Sequence, residues 1–246
     1  MTVFTPIRTR HGYGLPADNA APMFARVHPH TLAMPASGAP ATARNGADRR
    51  ALSIGLMGGS FNPAHDGHRH VAELALKRLA LDEVWWLVSP QNPLKPRGDM
   101  APFAERLASA RALARHPRIK PSDVETRLGT QFTADTLVEL RRRCPHMRFV
   151  WIMGADNLIG FHRWERWSLI LHTTVIAVFD RPSYSLRALA SLVARRYAKA
   201  RVPFRASRTL ANRRPPAWVF LHTPRHSASA TRIRETRATG QASNHG

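Results

Sequence analysis

The chain has 246 residues, 43% of them hydrophobic, which is enough for one well-buried domain with some surplus and too few to promise two large ones. Its single cysteine, Cys144, excludes an intramolecular disulfide, a secreted disulfide scaffold and a Cys-rich zinc site, and a reducing cytoplasm fits it. A formal net charge of +21, from 37 Lys and Arg against 16 Asp and Glu, implies attraction to phosphates, on nucleotides or on nucleic acid, without choosing between them.

Residues 1–50 carry prolines at 6, 16, 22, 29, 35 and 40 and hold no sustained period of 2 or 3.6, so they read as a disordered extension. An overextended translation start, with Met23 or Met34 as the alternative beginning, explains the same segment equally well, and the prolines leave no continuous apolar core for a signal peptide. From residue 52 the texture changes: Leu52 to Met57 is a short apolar run ending in Gly58 and Gly59, as a buried parallel strand entering a tight turn would be. Similar runs recur at Val84 to Val88, Arg148 to Met153, Thr173 to Phe179 and Ala217 to Leu221, with helical spacing between them, as in Val71, Leu74, Ala75 and Leu79. The pattern predicts an α/β, Rossmann-like doubly wound parallel sheet over residues 51–240, one domain with a flexible tail at 241–246, and ligands beyond the carboxyl ends of the strands. The longest apolar stretch, Leu169 to Phe179, is about 11 residues and is interrupted by His172, Thr173 and Thr174, well short of a membrane span. From Arg181 onward there are fourteen Lys or Arg and a single acid, Glu235; Arg195, Arg196, Lys199 and Arg201 are expected on a solvated basic helix face.

The segment Gly58-Gly59-Ser60-Phe61-Asn62-Pro63-Ala64-His65-Asp66-Gly67-His68 follows the first strand and leads straight into a helix. Its backbone N–H groups and the helix N-terminus can therefore face a phosphate. His65 and His68, three apart at the helix start, can turn both rings toward the same space and donate hydrogen bonds to phosphate oxygens. Neither the glycine-rich dinucleotide fingerprint nor a Gly-Lys-Ser/Thr phosphate loop is present, and no His, Cys, Asp and Glu cluster has metal-ligand spacing.

That string resembles the signature of the nucleotidyltransferase superfamily that carries His-x-Gly-His or Thr-x-Gly-His after its first strand, with His65, Gly67 and His68 in register. A more specific resemblance, over residues from about 52 to 237, is to the bacterial nicotinate-nucleotide adenylyltransferases. Ser89-Pro90-Gln91-Asn92-Pro93-Leu94-Lys95 is similar to the family's Pro-Asn-Pro loop, which implies that Lys95 lies near the nucleotide phosphates; on its own the segment is a good turn followed by an exposed lysine. Gln131 to Leu137 resembles the family's Tyr-Thr-x-Asp-Thr-Leu, with Phe132 for the tyrosine and Thr133 beside the nicotinate end, although Thr133 also reads as a plain helix N-cap. Met153-Gly154-Ala155-Asp156 is similar to the family's Gly-x-Asp, whose carboxylate accepts from ribose hydroxyls; a helix N-cap is the plainer reading of Asp156. Trp164 matches the family's pyridine-stacking tryptophan, Trp167 reads as packing, and Arg181, before Pro182, is either a mononucleotide contact or a surface arginine. Ser229-Ala230-Thr231-Arg232-Ile233-Arg234 resembles the family's Ser-Ser-Thr-x-Ile-Arg, with Ala230 replacing a serine while keeping its backbone N–H.

The resemblance implies transfer of AMP from ATP to nicotinate mononucleotide, with Mg²⁺ arriving on the ATP. It places His65, His68, Lys95 and Arg234 at the reacting phosphates. It assigns Gly58, Gly59, Ser60, Phe61, Gly154, Asp156, Ser229 and Thr231 to ATP, and Asn62, Thr133, Trp164 and Arg181 to the mononucleotide. Nicotinamide mononucleotide or phosphopantetheine as acceptor are the alternatives within the superfamily. A basic nucleic-acid-binding protein on the same fold is the alternative outside it, with nonspecific nucleic-acid retention expected in any case. Oligomeric state is not readable from the sequence.

Overall fold

Seven short strands hydrogen-bond side by side in a computed structural model that describes residues 51–90, 100–181 and 184–222. They are β1 (Ser53–Gly59), β2 (Glu83–Val88), β3 (Ile119–Ser122), β4 (Arg148–Gly154), β5 (Val175–Phe179), β6 (Arg201–Val202) and β7 (Trp218–Leu221). Every pairing is parallel and the order is β3-β2-β1-β4-β5-β7-β6. The chain therefore builds outward from β1 through β2 to β3, then crosses back to lay β4 on the other side of β1. That reversal opens a crevice between the carboxyl ends of β1 and β4, where open α/β sheets bind their ligands.

The longer strands read apolar because both faces are covered, and the period of two sorts their side chains. Val84, Trp86 and Val88 of β2 face one layer with Val150 and Ile152 of β4, against helices α1 (Asp66–Arg78) and α2 (Phe103–Ala114). Trp85 and Leu87 face the other layer with Phe149, Trp151 and Met153. Its helices are α3 (Val124–Leu128), α4 (Thr133–Arg143), α5 (Ala155–Gly160), α6 (Trp167–Thr173), α7 (Ser185–Leu189) and α8 (Leu192–Arg196), which supply Leu137, Leu158, Ile170 and Val193. The doubly wound sheet expected from the sequence is present.

Two strands go beyond the five expected. β3 is four residues long, contains Lys120 and Pro121, and has only its two ends buried, so no apolar run announces it; as an edge strand it tolerates a proline. β6 is only two residues long, and it takes Arg201 out of the expected helix face: the Arg201 guanidinium lies 5.5 Å from the centre of the Trp218 ring. Arg195 and Arg196 do lie on a helix, exposed at the end of α8, whereas Lys199 falls in the 3-10 turn Ala198–Ala200. β5 begins at Val175 rather than Thr173, because Thr173 ends α6 and the Thr174 hydroxyl donates to the Phe149 carbonyl at 2.8 Å. The expected extension at 1–50 and tail at 241–246 lie outside the described residues. Among the described residues no helix is long and apolar enough to cross a membrane.

Candidate active site

Gly58 and Gly59 close β1 opposite Leu87 and Val88 of β2. A Cβ on Gly58 would lie 2.6 Å from Cη2 of Trp151, so glycine is what allows the β4 indole to slide across the tip of β1. Phe61 then turns the chain with a φ of 46°, in the left-handed region, and its ring is 2% exposed and stacked 5.2 Å from Trp86. The sequence reading gave Phe61 to ATP; the buried ring corrects this to a backbone contact at most, since only the main chain of Phe61 can reach a ligand.

α1 starts five residues after Phe61, with His65 as its N-cap and Asp66 in its first turn, where a carboxylate complements the helix dipole, and Lys77 and Arg78 in its last. The structure brings the two expected histidines together: their ring centres are 3.7 Å apart, His65 buried and His68 half-buried, with the His68 ring 4.7 Å from that of Phe61. The backbone N–H of His65 donates to Nδ1 of His68 at 3.2 Å. An Nδ1 that accepts has no proton of its own, so neutral His68 carries its N–H on Nε2. The neutral His68 ring is thus a donor through Nε2.

The loop between β1 and α1 is tied from an unexpected direction. Arg106 on α2, 2% exposed, donates from Nε to the Ala101 carbonyl (2.8 Å), from one terminal nitrogen to the Ser60 (2.7 Å) and Ser89 (2.8 Å) carbonyls, and from the other to the Pro90 carbonyl (2.9 Å). Asn62, expected at the mononucleotide, accepts the Ala101 N–H through Oδ1 at 3.2 Å, so part of its work is structural. Sequence reasoning passed over Arg106, yet a signal existed: it sits with Phe103, Leu107, Ala110 and Ala114 on the one apolar stripe of α2, where a charged residue has no reason to be unless its donors are used.

Across the crevice, β4 ends at Gly154, paired with Phe179 of β5. A Cβ there would lie 3.0 Å from Nε of Arg181, and it would meet the Asp156 carboxylate even more closely, so glycine leaves room for those two side chains to fold over the strand end. Arg181 donates to Oδ2 of Asp156 at 3.2 Å, while Oδ1 of Asp156 is buried with no hydrogen-bond partner among the described residues. Asp156 is not a helix N-cap: Gly154 holds that position and Asp156 lies one residue inside α5.

Thr133 likewise opens α4 as its first helical residue, half-buried, with Phe132 as the N-cap, so the N-cap reading of Thr133 is also corrected. Beneath this turn the Thr136 hydroxyl lies 2.8 Å from that of Thr130, 3.2 Å from the Phe132 carbonyl and 3.5 Å from Glu125, whose carboxyl burial pushes up to about 7. Trp164 stands edge-on to Trp151 (6.2 Å) and Phe161 (5.1 Å), half-buried and supported from below. Trp167 packs edge-on against Phe161 and Tyr197, as expected for a packing residue. A salt bridge from Arg166 to Asp135 ties the Trp164 segment to the Thr133 helix. Trp151 thus links the tip of β1, through Gly58, to the platform under Trp164.

Lys95, Ser229, Thr231 and Arg234 lie outside the described residues. Among the described residues no three His, Cys, Asp or Glu side chains converge as a metal site.

A cytidylyltransferase-like family model matches residues 56–236. A Cereibacter sphaeroides protein named "probable nicotinate-nucleotide adenylyltransferase" is 56% identical over 185 residues, 75% of this chain and 98% of that protein. A Rhizobium meliloti protein of the same name is 51% identical over 187 residues, 76% of this chain and all of its own length. In fold, the chain is similar to the solved structure of Plasmodium falciparum nicotinic acid mononucleotide adenylyltransferase complexed with NaAD, with a TM-score of 0.57, 15% identity, and coverage of 75% of this chain and 83% of that one.

Proposed function

The chain belongs to the cytidylyltransferase-like family and, within it, to the nicotinate-nucleotide adenylyltransferases, and from that premise we propose how its residues transfer AMP from ATP to nicotinate mononucleotide. The products are nicotinate adenine dinucleotide and pyrophosphate, a step of NAD biosynthesis. The observation that carries the reading is the close His65 and His68 pair at the start of α1, set just beyond the carboxyl end of β1 at the crossover of the sheet.

A phosphate oxygen of the mononucleotide attacks the α-phosphorus of ATP, a P–O bond forms there, and the bond to the β-phosphate breaks, releasing pyrophosphate. Both reactants are anions, so the protein's task is to hold them in line and neutralise charge, and no covalent intermediate on the protein is required. ATP would enter as its Mg²⁺ complex, and the ion would neutralise charge on the departing pyrophosphate. The α1 N-terminus and the glycine turn offer backbone N–H groups to the α-phosphate region, and His68 donates from Nε2. Lys95, Ser229, Thr231 and Arg234, through the family motifs they match, add donors to the triphosphate. Asp156 receives the ATP ribose hydroxyls on Oδ1, a role supported by that oxygen's lack of a partner. The half-buried Trp164 indole stacks on the pyridine ring beside Thr133, and Arg181, swinging from Asp156, meets the acceptor's negative charge. A cytoplasmic setting is part of the proposal, supported by the single cysteine of the sequence.

The test is pyrophosphate release from ATP and Mg²⁺ with nicotinate mononucleotide, nicotinamide mononucleotide or phosphopantetheine at equal concentration. Strong preference for the nicotinate acid is expected. Preference for another acceptor would keep the chemistry and overturn the substrate; inactivity with all three would overturn both.

A further inference from the structure

Arg106 presents a physical problem that packing does not solve. An arginine has five N–H donors, and four of the donations seen here run to main-chain carbonyls at Ala101, Ser60, Ser89 and Pro90. Among the described residues no carboxylate pairs with the guanidinium, which is 2% exposed, and burial lowers its pKa. An apolar side chain would fill this place on α2, between Phe103 and Leu107, at no desolvation cost. A buried cation is retained at such a place when its donors or its charge serve something else.

We propose that Arg106 is a positioning residue of the nucleotide cradle: it turns the carbonyls of the loops after β1 and β2 toward itself, so that the β1 loop presents N–H groups to the anionic substrate. The inference rests on the adenylyltransferase reading. In a trans peptide the C=O of one residue and the N–H of the next point in opposite directions. The Ser60–Phe61 bond is trans, and its carbonyl is held by Arg106, so the Phe61 N–H points away from the guanidinium. Without that hold the same peptide could rotate and offer a phosphate the negative end of its dipole. The Ser89 and Pro90 carbonyls are withdrawn in the same way, which keeps three oxygen acceptors turned from the polyphosphate. The positive charge of Arg106, with no carboxylate partner among the described residues, then adds to the attraction for the anion through a low-dielectric wall. A lysine keeps the charge but has no planar fork, and cannot reach carbonyls on both loops at once.

The experiment compares wild type with Arg106→Lys and Arg106→Gln, using circular dichroism to confirm folding. Three readouts follow: MgATP affinity in the absence of acceptor, kcat and KM for pyrophosphate release, and hydrogen exchange at the Phe61 amide. In both variants we expect Phe61 exchange about tenfold faster, weaker MgATP binding and a kcat loss of about 10²-fold, the scale of one lost preorganised donor set. Restoration of all three by lysine, or values within twofold of wild type in folded variants, would overturn the proposal. A wild type inactive on every acceptor would sink the functional reading alone, because MgATP affinity and Phe61 exchange do not depend on the acceptor. If neither variant folds, the wild type decides. The Arg106 Nε–H should exchange far more slowly than that of exposed Arg187, and saturating MgATP should slow the Phe61 amide further; an unprotected Nε–H or an unresponsive amide overturns the role.

Discussion

At the carboxyl end of β1 the loop is tied through main-chain carbonyls to a guanidinium that is 2% exposed, and its Phe61 ring is buried on Trp86. At the carboxyl end of β4 the corresponding tie is a side-chain pair, Arg181 with Asp156, whose side chains are 43% and 30% exposed. The first arrangement is dry, backbone-directed and preformed. The second is solvated and worth little as a bond, since exposed ion pairs contribute about 0–1 kcal/mol. On the proposed assignment the difference suits two tasks: triphosphate chemistry needs donors that do not reorganise, whereas Arg181 must leave Asp156 for an acceptor carboxylate or phosphate that displaces it.

Substitutions can break or sharpen this contrast. The largest effect is expected from His68→Ala, which removes the Nε2 donor on the preformed side: turnover should fall by about 10²–10³ with folding intact, and near-normal steady-state rates would contradict the assignment. Glu125→Gln probes the turn beneath Thr133. The folded chain holds this carboxyl proton up to about pH 7, against an ordinary value of 4.5, so wild-type stability should be full below about 4.5 and decline as pH rises through 7. The glutamine variant should lack that slope and be more stable at pH 8 by on the order of 2 kcal/mol in urea titrations, since the buried carboxyl has little solvent screening. Gly58→Ala pushes a methyl against Trp151 and, through it, the Trp164 platform; a loss of about 1–2 kcal/mol in stability is expected, with KM for the mononucleotide raised more than KM for ATP. An equal rise in both would show the two sides to be mechanically one. The smallest effect is expected from Arg181→Met: stability within about 0.5 kcal/mol of wild type and an acceptor KM raised severalfold with ATP KM unchanged.

The site was readable in the sequence where a residue's role depends on its neighbours in the chain. His65 and His68 are three apart at a helix start, so the local capping geometry there brings their rings together, and Gly58 and Gly59 end a strand visible as an apolar run. The plainer cap readings missed by a residue or two: Thr133 and Asp156 lie inside their helices rather than at the caps, because cap position follows backbone dihedrals that residue type only biases. The Phe61 ring is core, which leaves only its main chain for a ligand, since the left-handed turn that aims the ring inward is not encoded by phenylalanine itself.

The sequence by itself determined the alternation of strands and helices, the covered parallel sheet and the glycine turn between β1 and α1, because hydrophobic period and short-range geometry are local properties of a chain. Only the tertiary structure decided the rest. It placed Arg106 under loops 17 and 46 residues distant in sequence, set the Trp151 indole against Gly58, and paired Arg181 with Asp156 across the ends of two strands. It also added β3 and β6, whose short or polar sequences acquire strand structure only from a neighbouring strand already in place. Each of these depends on which strands lie side by side, and strand order is set by how the whole chain buries its two apolar faces rather than by any segment alone.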